Sequence, residues 1–369
     1  MLSILIKPVS SNCNLECGYC FYKSTAKENS NISREYMKVE TLKNIVKKAF
    51  DYSKDGVVFA FQGGEPTLIG LDFFKELIKY QKKYNKRKIL VKNSIQTNGY
   101  NIDEEFSKFL KKENFLVGLS LDGPKFLHDK YRVNLKENGS FDKVFNTKKI
   151  FDKDFVEYNI LSVITKETSK NARELYKFYK DNDINFVQTI PCLDKGFNQS
   201  GEEKYSLTPD EYEGFLKEFF DLWYKDYKKG DFMSVRLFEN ICAMLLGMKP
   251  ESCELMGFCS IQNVIEANGD IYPCDFYVSD DKRIGNINEI SFKDVPKLKS
   301  SIKFIETKEP LDKCKKCKYG PLCKGGCKRY RDENTLEYYY CSTFKNFYDY
   351  SIDRFIEICK DIIKREKNR

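Results

Sequence analysis

Residues 1–22, MLSILIKPVSSNCNLECGYCFY, decide the fold class of this chain. They open with an apolar run at 2–7 and continue into three cysteines, Cys13, Cys17 and Cys20, called here the N-terminal cysteines. The apolar run is too short for a secretory signal and predicts a first β-strand. Three thiolates at this spacing can converge on one side of a loop, so the pattern indicates a metal or cluster site behind that strand.

The alternation of strands and helices continues through the first 230 residues. Five further strand-like runs follow, at 57–62, 89–97, 115–121, 155–164 and 185–190. Stretches with helical periodicity lie between the strands, at 34–52, 71–84, 103–112, 140–152 and 171–182. Six strands separated by five helices imply right-handed βαβ units. We therefore predict an α/β fold with a parallel sheet, followed by a longer helix over 209–229 that Thr208 caps.

The composition changes after Gly247. Residues 253–341 hold eight cysteines and several turn signals, and an Asn268-Gly269 pair between two apolar runs predicts a β-hairpin. A closing helix is expected over 344–364, and a polar loop over 194–204. We therefore predict two domains, at residues 1–230 and 231–369.

Two residue counts restrict the chemistry. The chain has one histidine, His128, which nearly excludes a histidine triad, a His-rich zinc site and a two-His iron site. It also has 14 cysteines and no secretion signal, which favours metal ligands over disulfides. The sequence holds no apolar run long enough for a transmembrane helix, so we expect a cytoplasmic protein with no membrane partner.

The net charge of +8 is concentrated in one segment. Residues 313–331 carry eight basic residues and no acidic residue. A nucleic-acid-binding patch is one interpretation. The other is that these side chains offset the negative charge of clusters bound by the cysteines of the same segment. We favour the second, because basic runs alone are weak signals.

Glycine-rich and polar motifs follow three of the later strands. These are Gly63-Gly64-Glu65-Pro66, Thr97-Asn98-Gly99 and Ser120-Leu121-Asp122-Gly123. Each lies at the C-terminal end of a predicted strand, where α/β barrels place their chemistry. Together with the CxxxCxxC motif, they resemble the radical S-adenosylmethionine (SAM) superfamily over about the first 200 residues. The resemblance implies a partial (β/α)6 TIM-like barrel.

The same resemblance implies how the cofactor is held. The N-terminal cysteines would bind a [4Fe-4S] cluster whose open iron takes the amino and carboxylate groups of SAM. The remaining SAM contacts would be Gly63, Gly64 and Glu65 at the methionyl group, Ser120 and Arg132 at ribose and carboxylate, and Tyr19 and Leu193 at adenine. A surface or salt-bridged arginine stays an alternative for Arg132. Spacing alone also allows a three-cysteine zinc site with a borrowed fourth ligand.

The eight C-terminal cysteines suit two sites of four, and their number alone would allow two zinc sites. Behind a radical SAM domain, the run Cx2Cx5Cx3C with a distant further cysteine resembles a SPASM domain, which binds two auxiliary [4Fe-4S] clusters. The resemblance implies an inner set, Cys253, Cys259, Cys274 and Cys327, and an outer set, Cys314, Cys317, Cys323 and Cys341. Spacing does not show this partition. Cys192, Cys242 and Cys359 remain, and we expect them to pack as buried thiols.

Several segments along nearly the full chain resemble the anaerobic sulfatase-maturating enzymes. They are CNLECGYCFY, FAFQGGEPTL, QTNG, FLVGLSLDGP, FDLWY, YPCDFYV and CKGGCKR. The resemblance implies oxidation of a cysteine or serine of a sulfatase to Cα-formylglycine, by hydrogen abstraction from Cβ, deprotonation and electron transfer to an auxiliary cluster. It implies two partners: a substrate with a CxPxR- or SxPxR-like motif, and a one-electron donor such as flavodoxin or ferredoxin.

The resemblance also implies roles for three residues near the radical. Asp275, directly after Cys274, would be the base that deprotonates the substrate; without the resemblance, a turn cap would be preferred. Tyr22 and Gln62 would contact the peptide, the alternatives being a packed tyrosine and a strand-end hydrogen bond. His128 is not expected to be catalytic.

Two other classes of function stay open at this point. A radical SAM–SPASM enzyme that crosslinks a ribosomal peptide through thioether or carbon–carbon bonds often carries an N-terminal recognition domain, for which little room precedes the first strand. A non-enzymatic zinc- or nucleic-acid-binding protein would explain 313–331, but not the combination of CxxxCxxC with GGEP. The sequence does not distinguish cysteine from serine as the target.

Overall fold

The computed structural model describes residues 1–28, 35–194, 201–306 and 311–367. The chain divides into two compact units, each built from several segments. The first comprises Met1–Leu121, Asp129–Asn159 and Ser260–Glu306. The second comprises Asp122–His128, Ile160–Cys259 and Thr307–Arg369. The domain boundary near residue 230 stays a prediction.

Ten strands are present in the described residues. In chain order they are β1 (Leu2–Ile6), β2 (Gly56–Phe61), β3 (Leu90–Thr97), β4 (Phe115–Ser120), β5 (Tyr158–Ile164), β6 (Phe186–Pro191), β7 (Ser234–Val235), β8 (Val264–Ile265), β9 (Asp270–Tyr272) and β10 (Gly285–Asn286). All six strands predicted from the sequence are among them, with ends shifted by a few residues.

Fourteen α-helices lie in the same residues. They are α1 (Phe21–Glu28), α2 (Val39–Tyr52), α3 (Leu71–Tyr84), α4 (Glu104–Lys112), α5 (Lys125–Tyr131), α6 (Phe141–Asp154), α7 (Lys166–Ser169), α8 (Ala172–Asp181), α9 (Pro209–Lys229), α10 (Arg236–Leu245), α11 (Lys299–Ile305), α12 (Asp312–Lys315), α13 (Gly320–Cys323) and α14 (Cys341–Lys367). The predicted helices are confirmed, although the helix expected from residue 34 begins only at Val39, and Arg34 lies outside the described residues.

The first unit is built on a sheet in the order β10-β9-β8-β1-β2-β3-β4. The pairs β8–β1, β1–β2, β2–β3 and β3–β4 are parallel, which places the C-terminal ends of these strands along one edge. The hairpin β8–β9 is antiparallel, as its Asn268-Gly269 turn predicts. Its first strand pairs with β1, so residues after position 260 join the sheet beside the N-terminal strand.

Apolar faces explain how helices cover this sheet. Helix α2 buries a continuous stripe of side chains at helical spacing, namely Thr41, Leu42, Ile45, Val46, Ala49 and Phe50. β2 is buried at four of its six positions, as expected for a parallel strand covered on both faces, and β1 is buried at Ile4 and Ile6. The core therefore lies between the parallel strands and the helices of the βαβ units.

The second unit combines the parallel strands β5–β6–β7 with the long helices α9 and α14. Thr208 caps α9 as predicted: its Oγ1 accepts from the Glu211 backbone N–H at 3.3 Å, and Glu211 Oε2 accepts from the Thr208 N–H at 3.1 Å. Aromatic rings join the two helices, with the Phe220 and Phe355 centroids 4.6 Å apart. These contacts fix the closing helix that carries Cys341.

Two further expectations from the sequence concern membrane-spanning helices and the polar loop over 194–204. Within the described part of the chain, no helix is both long and apolar enough to cross a membrane. The polar loop expected over 194–204 falls largely on residues 195–200, which lie outside the described residues.

Candidate active site

The loop that carries the N-terminal cysteines runs from the end of β1 to α1 and is held by backbone hydrogen bonds. The Glu16 N–H donates to the Val133 carbonyl at 2.7 Å, and the Gly18 N–H to the Tyr131 carbonyl at 2.9 Å. A third bond, from the Glu65 N–H to the Asn12 carbonyl at 2.8 Å, joins this loop to the GGEP segment. These hydrogen bonds therefore hold the backbone of the loop that carries the three cysteines.

The three N-terminal cysteines are reduced and partly exposed. Burial, with smaller contributions from the Glu65 carboxylate and the other two cysteines, raises the pKa of Cys13 to about 12. Burial likewise raises the pKa of Cys20. A cluster would hold these residues as thiolates, because the ligand form of cysteine is the thiolate.

The donor chemistry of this loop fits an iron–sulfur cluster. Its three sulfur donors suit iron–sulfur chemistry, and two N–H groups already point at one of them. The Leu15 N–H lies 3.4 Å from Cys13 Sγ, and Asn98 Nδ2 lies 3.6 Å from the same sulfur. As the side chains stand, no group of three His, Cys, Asp or Glu residues in the described ranges could hold a single metal ion.

The two glycines of GGEP allow close approach of backbone to neighbouring chain. Gly63 has φ +86° and Gly64 has φ +52°, both in the left-handed region that favours glycine. A Cβ on Gly64 would lie 2.1 Å from the Asn12 carbonyl oxygen, and one on Gly63 would lie 2.6 Å from the Lys7 side chain. The GGEP loop thus packs directly on the cysteine loop and on the stem of Lys7.

Glu65 ties the loops after β2 and β3 together. Its carboxylate is fully buried and accepts from Thr67, Thr97 and the Asn98 N–H, at distances between 2.7 and 3.0 Å. Burial raises the pKa of Glu65, and these hydrogen bonds act in the opposite direction. The side chain therefore ties the two loops together.

The other residues predicted to contact SAM are all buried. Ser120 ends β4, and Arg132 lies with its guanidinium carbon 5.5 Å from the centroid of the Tyr19 ring. Arg132 is 7% exposed, so the alternative of a surface arginine is wrong. Leu193 lies in the second unit, directly after β6, and is also buried.

A buried charge cluster gathers both expected peptide contacts and the expected base. It consists of Lys7, Tyr22, Gln62, Glu266 and Asp275, all in the first unit. Lys7 Nζ lies 2.6 Å from Asp275 Oδ1 and 3.5 Å from Glu266 Oε1. Gln62 Nε2 donates to Asp275 Oδ2 at 2.6 Å, and the Tyr22 hydroxyl donates to Glu266 Oε1 at 2.6 Å.

Lys7 and Glu266 were not among the residues that the sequence suggested. From the sequence, Lys7 is only the last residue of the apolar run at 2–7, and Glu266 is only a residue of the predicted hairpin. A signal did exist: each is a charged residue at the end of a buried apolar run, where an unpaired charge would be costly. That cost predicts a partner for each, without saying which.

The partition of the auxiliary cysteines between two clusters stays a prediction. Seven of the eight lie in the second unit, including all four of the outer set. Burial, with smaller contributions from Cys314, Cys317 and Cys341, raises the pKa of Cys323 to about 11. Burial, with smaller contributions from Glu254, Cys253 and Cys259, raises the pKa of Cys327 to about 12. Cys274 belongs to the first unit, directly before the 3-10 helix Asp275–Tyr277.

The three remaining cysteines and the histidine are buried inside the second unit. The Cys192 thiol donates to the Tyr205 carbonyl at 3.2 Å, and Cys359 contacts the Cys242 carbonyl at 3.7 Å, so the prediction of packed thiols is confirmed. His128 lies in α5, where its Nδ1 is 3.3 Å from the Asp122 N–H.

Comparison with known proteins settles the family. The model of the radical SAM superfamily matches residues 8–179, and that of SPASM, an iron–sulfur cluster-binding domain, matches residues 253–318. A cysteine-type anaerobic sulfatase-maturating enzyme of Clostridium novyi is 46% identical over 99% of this chain and 99% of its own. This chain belongs to the anaerobic sulfatase-maturating enzymes.

Other members of the family extend the comparison. A solved structure of native anSMEcpe with bound AdoMet and Cp18Cys peptide has a TM-score of 0.93, with 42% identity, and covers 98% of this chain and 99% of that one. A serine-type enzyme of Bacteroides thetaiotaomicron is 29% identical over 91% of this chain and 84% of its own. The predicted fold class, a radical SAM domain followed by SPASM, is confirmed. The chain is a radical SAM enzyme, and its family implies iron–sulfur clusters.

Proposed function

We propose that this sulfatase-maturating enzyme oxidises a cysteine side chain of a sulfatase to Cα-formylglycine. The observation that carries the proposal is the placement of Asp275. It directly follows Cys274, forms an ion pair with Lys7 and accepts a hydrogen bond from Gln62. The greater identity to a cysteine-type relative, 46% against 29% for a serine-type one, supports cysteine as the target.

Three [4Fe-4S] clusters and SAM would serve the reaction. The N-terminal cysteines would hold one cluster, and the inner and outer sets one each. Gly63, Gly64 and the Glu65 backbone, with Ser120, Arg132, Tyr19 and Leu193, would bind SAM. When bound, these groups supply a 5′-deoxyadenosyl radical that takes a hydrogen atom from the substrate Cβ, and an acceptor for the second electron.

Asp275 would take the thiol proton at a particular oxygen. Its Oδ1 faces the Lys7 ammonium, and its Oδ2 faces the Gln62 amide. With Oδ1 occupied by the Lys7 ammonium at 2.6 Å, Oδ2 is the oxygen left for the substrate. Oδ2 would therefore accept the proton once Gln62 turns its amide toward the peptide. The thiol becomes a thioaldehyde on losing two hydrogens, and hydrolysis exchanges its sulfur for oxygen.

Tyr22 would meet the peptide through its ring. Its hydroxyl is used by Glu266 at 2.6 Å, and Lys7 Nζ lies 3.4 Å from the ring centroid. Tyr22 would therefore line the peptide site, and its contacts with Glu266 and Lys7 would set the orientation of its ring.

The partners follow from the same proposal. The substrate would be a sulfatase with a CxPxR-like motif, and a flavodoxin or ferredoxin would supply electrons, all in the cytoplasm. Lysines of the 313–331 segment form ion pairs, Lys313 with Glu337 and Lys318 with Asp349, both at 2.5 Å, and Lys315 with Asp312 at 3.8 Å. The charges of Lys328 and Arg331 also act on Cys259, and that of Lys313 on Cys341, which favours compensation of cluster charge over nucleic-acid binding.

Asp275→Asn tests this function. The variant keeps the shape of the side chain but removes its basicity, so formylglycine production should fall by about 10²–10⁴ while SAM cleavage continues. Mass spectrometry would measure the ratio of 5′-deoxyadenosine to formylglycine on a cysteine peptide and on a serine peptide. The matched control is Asp281→Asn, because that carboxylate is 67% exposed on a neighbouring 3-10 helix.

Three outcomes would count against the proposal. Near-normal turnover of Asp275→Asn on both peptides would show that Asp275 is a turn cap and not the base. A wild-type product that loses hydrogen but keeps its sulfur would favour the crosslinking enzymes instead. A colourless protein loaded with zinc after anaerobic purification would end the radical assignment.

A further inference from the structure

We propose that Lys7 is the positioning residue of the base: it holds one oxygen of Asp275 so that the other faces the substrate. This inference rests on the proposed function, because it assigns Lys7 a part in the same proton transfer. It concerns a residue at the end of β1, 268 positions away from Asp275 in the sequence.

The first support is how firmly Lys7 itself is placed. Its side chain is 0% exposed, so the ammonium cannot turn to water. The backbone N–H of Lys7 donates to the Ile265 carbonyl at 2.8 Å, and the Gly63 backbone packs against its stem. The Tyr22 ring covers the ammonium at 3.4 Å. A lysine with so little freedom can fix the direction of whatever it pairs with.

The second support is the asymmetry of its two carboxylate partners. Glu266 is 0% exposed and lies 3.5 Å from Nζ, whereas Asp275 is 12% exposed and lies 2.6 Å away. Glu266 is also bound by the Tyr22 hydroxyl. Glu266 is therefore the internal counter-charge that makes a buried lysine tolerable, and Asp275 is the partner at the exposed end.

The third support is the way in which Lys7 restricts the orientation of the Asp275 carboxylate. With Oδ1 beside the ammonium, rotation of the carboxylate would separate two full charges in a buried site. Oδ2 accepts from the amide of Gln62, a neutral and partly buried side chain that follows β2. The attraction at Oδ2 is therefore the smaller of the two, so Oδ2 is the oxygen that the substrate would reach by displacing Gln62.

A purely structural role for Lys7 makes a different prediction. If the lysine served only to neutralise Glu266, removing both charges together would leave function unaffected. The variant Lys7→Met/Glu266→Gln does this, since it deletes one cation and one anion and leaves the net charge of the cluster unchanged. Lys7→Met alone leaves two buried carboxylates facing each other and can fail to fold, so the double variant is the decisive one.

The experiment measures three quantities on the cluster-loaded enzyme with a cysteine peptide: kcat, KM for the peptide, and the ratio of 5′-deoxyadenosine to formylglycine. The double variant should lose about 10- to 100-fold in kcat, a part of the roughly 10²–10⁴ that a positioned general base contributes, and the ratio should rise. SAM cleavage and iron content should stay normal. The single variant Glu266→Gln keeps Lys7 beside Asp275, so its loss in kcat should be smaller than that of the double variant; an equal loss would overturn the role of Lys7.

A double-mutant cycle then tests whether Lys7 acts through Asp275. In an Asp275→Asn background, the double change at Lys7 and Glu266 should have no further effect on the ratio, because the base is already absent. A wild-type ratio in Lys7→Met/Glu266→Gln would overturn the role of Lys7 while leaving Asp275 as base. A further loss in the Asp275→Asn background would show that Lys7 acts elsewhere. Normal turnover of Asp275→Asn alone would instead defeat the proposed function.

Discussion

Glu65→Gln measures how strongly the GGEP loop is held at the cofactor edge of the sheet. Glu65 Oε1 accepts from the Thr67 N–H, the Thr67 hydroxyl and the Thr97 hydroxyl, and Oε2 accepts from the Asn98 N–H at 2.7 Å. A glutamine can keep its carbonyl oxygen toward the three donors, but its amide nitrogen then faces the Asn98 N–H. The opposite orientation would sacrifice three bonds rather than one.

The magnitude follows from that geometry. The variant loses one charge-assisted hydrogen bond and leaves a buried donor unpaired, which costs about 1.5–3 kcal/mol. Since 1.4 kcal/mol corresponds to a factor of ten, local opening around Asn98 should become about 10- to 150-fold more frequent. The global stability need not be known, because exchange of a protected amide reports the opening of its own segment.

Hydrogen exchange with mass spectrometry on a peptide covering 94–101 provides the assay. Protection of the Asn98 amide should fall by that factor in Glu65→Gln. Glu76→Gln on α3 is the matched control, because it removes the same charge from a partly exposed carboxylate that pairs with Lys79. Unchanged protection at Asn98 in Glu65→Gln would refute the view that this carboxylate holds the two loops together.

Three further predictions concern the cysteines and their loop. Changing all N-terminal cysteines to alanine should abolish SAM cleavage yet leave iron for about two clusters, since the other eight ligands form separate sites; a folded variant without any iron would contradict this partition. After iron is chelated, iodoacetamide should label Cys192, Cys242 and Cys359 only on denaturation, because all three thiols are buried. Burial also raises the pKa of Cys192 to about 12, so rapid labelling of Cys192 in the native protein would be inconsistent with its packing. Gly64→Ala should lower iron at the N-terminal site, because its Cβ would meet the Asn12 carbonyl and its left-handed backbone costs about 1–2 kcal/mol; full cluster loading in that variant would disprove the close approach.

The secondary structure of the chain was largely predictable because it depends on local periodicity. The helix over Leu71–Tyr84 has its expected bounds, and the Thr208 cap and Asn268-Gly269 turn act where their side chains and backbone preferences place them. Helices α1 and α5 were not predicted. Each is short and lies beside a site loop, where contacts with the rest of the fold outweigh intrinsic helix propensity.

The candidate site was predictable as far as its motifs carry chemistry on their own. CxxxCxxC and GGEP indicated where sulfur donors and close backbone approach would occur, and both loops do meet, through the Glu65 N–H and the Asn12 carbonyl. The surroundings of Asp275 were less accessible. The family resemblance implies a base directly after Cys274, but nothing local indicates what holds the carboxylate.

The sequence by itself determined the order of strands and helices, the cysteine spacing and the residue types available for chemistry. These properties depend on neighbours within a few positions, and periodicity or motif spacing records them directly. Only the tertiary structure decided that Lys7 meets both Asp275 and Glu266, because the parallel pairing of β8 with β1 brings residues some 260 positions apart to one edge of the sheet. A buried charge requires a partner, but the sequence cannot name it, since that partner is chosen by which strands lie side by side.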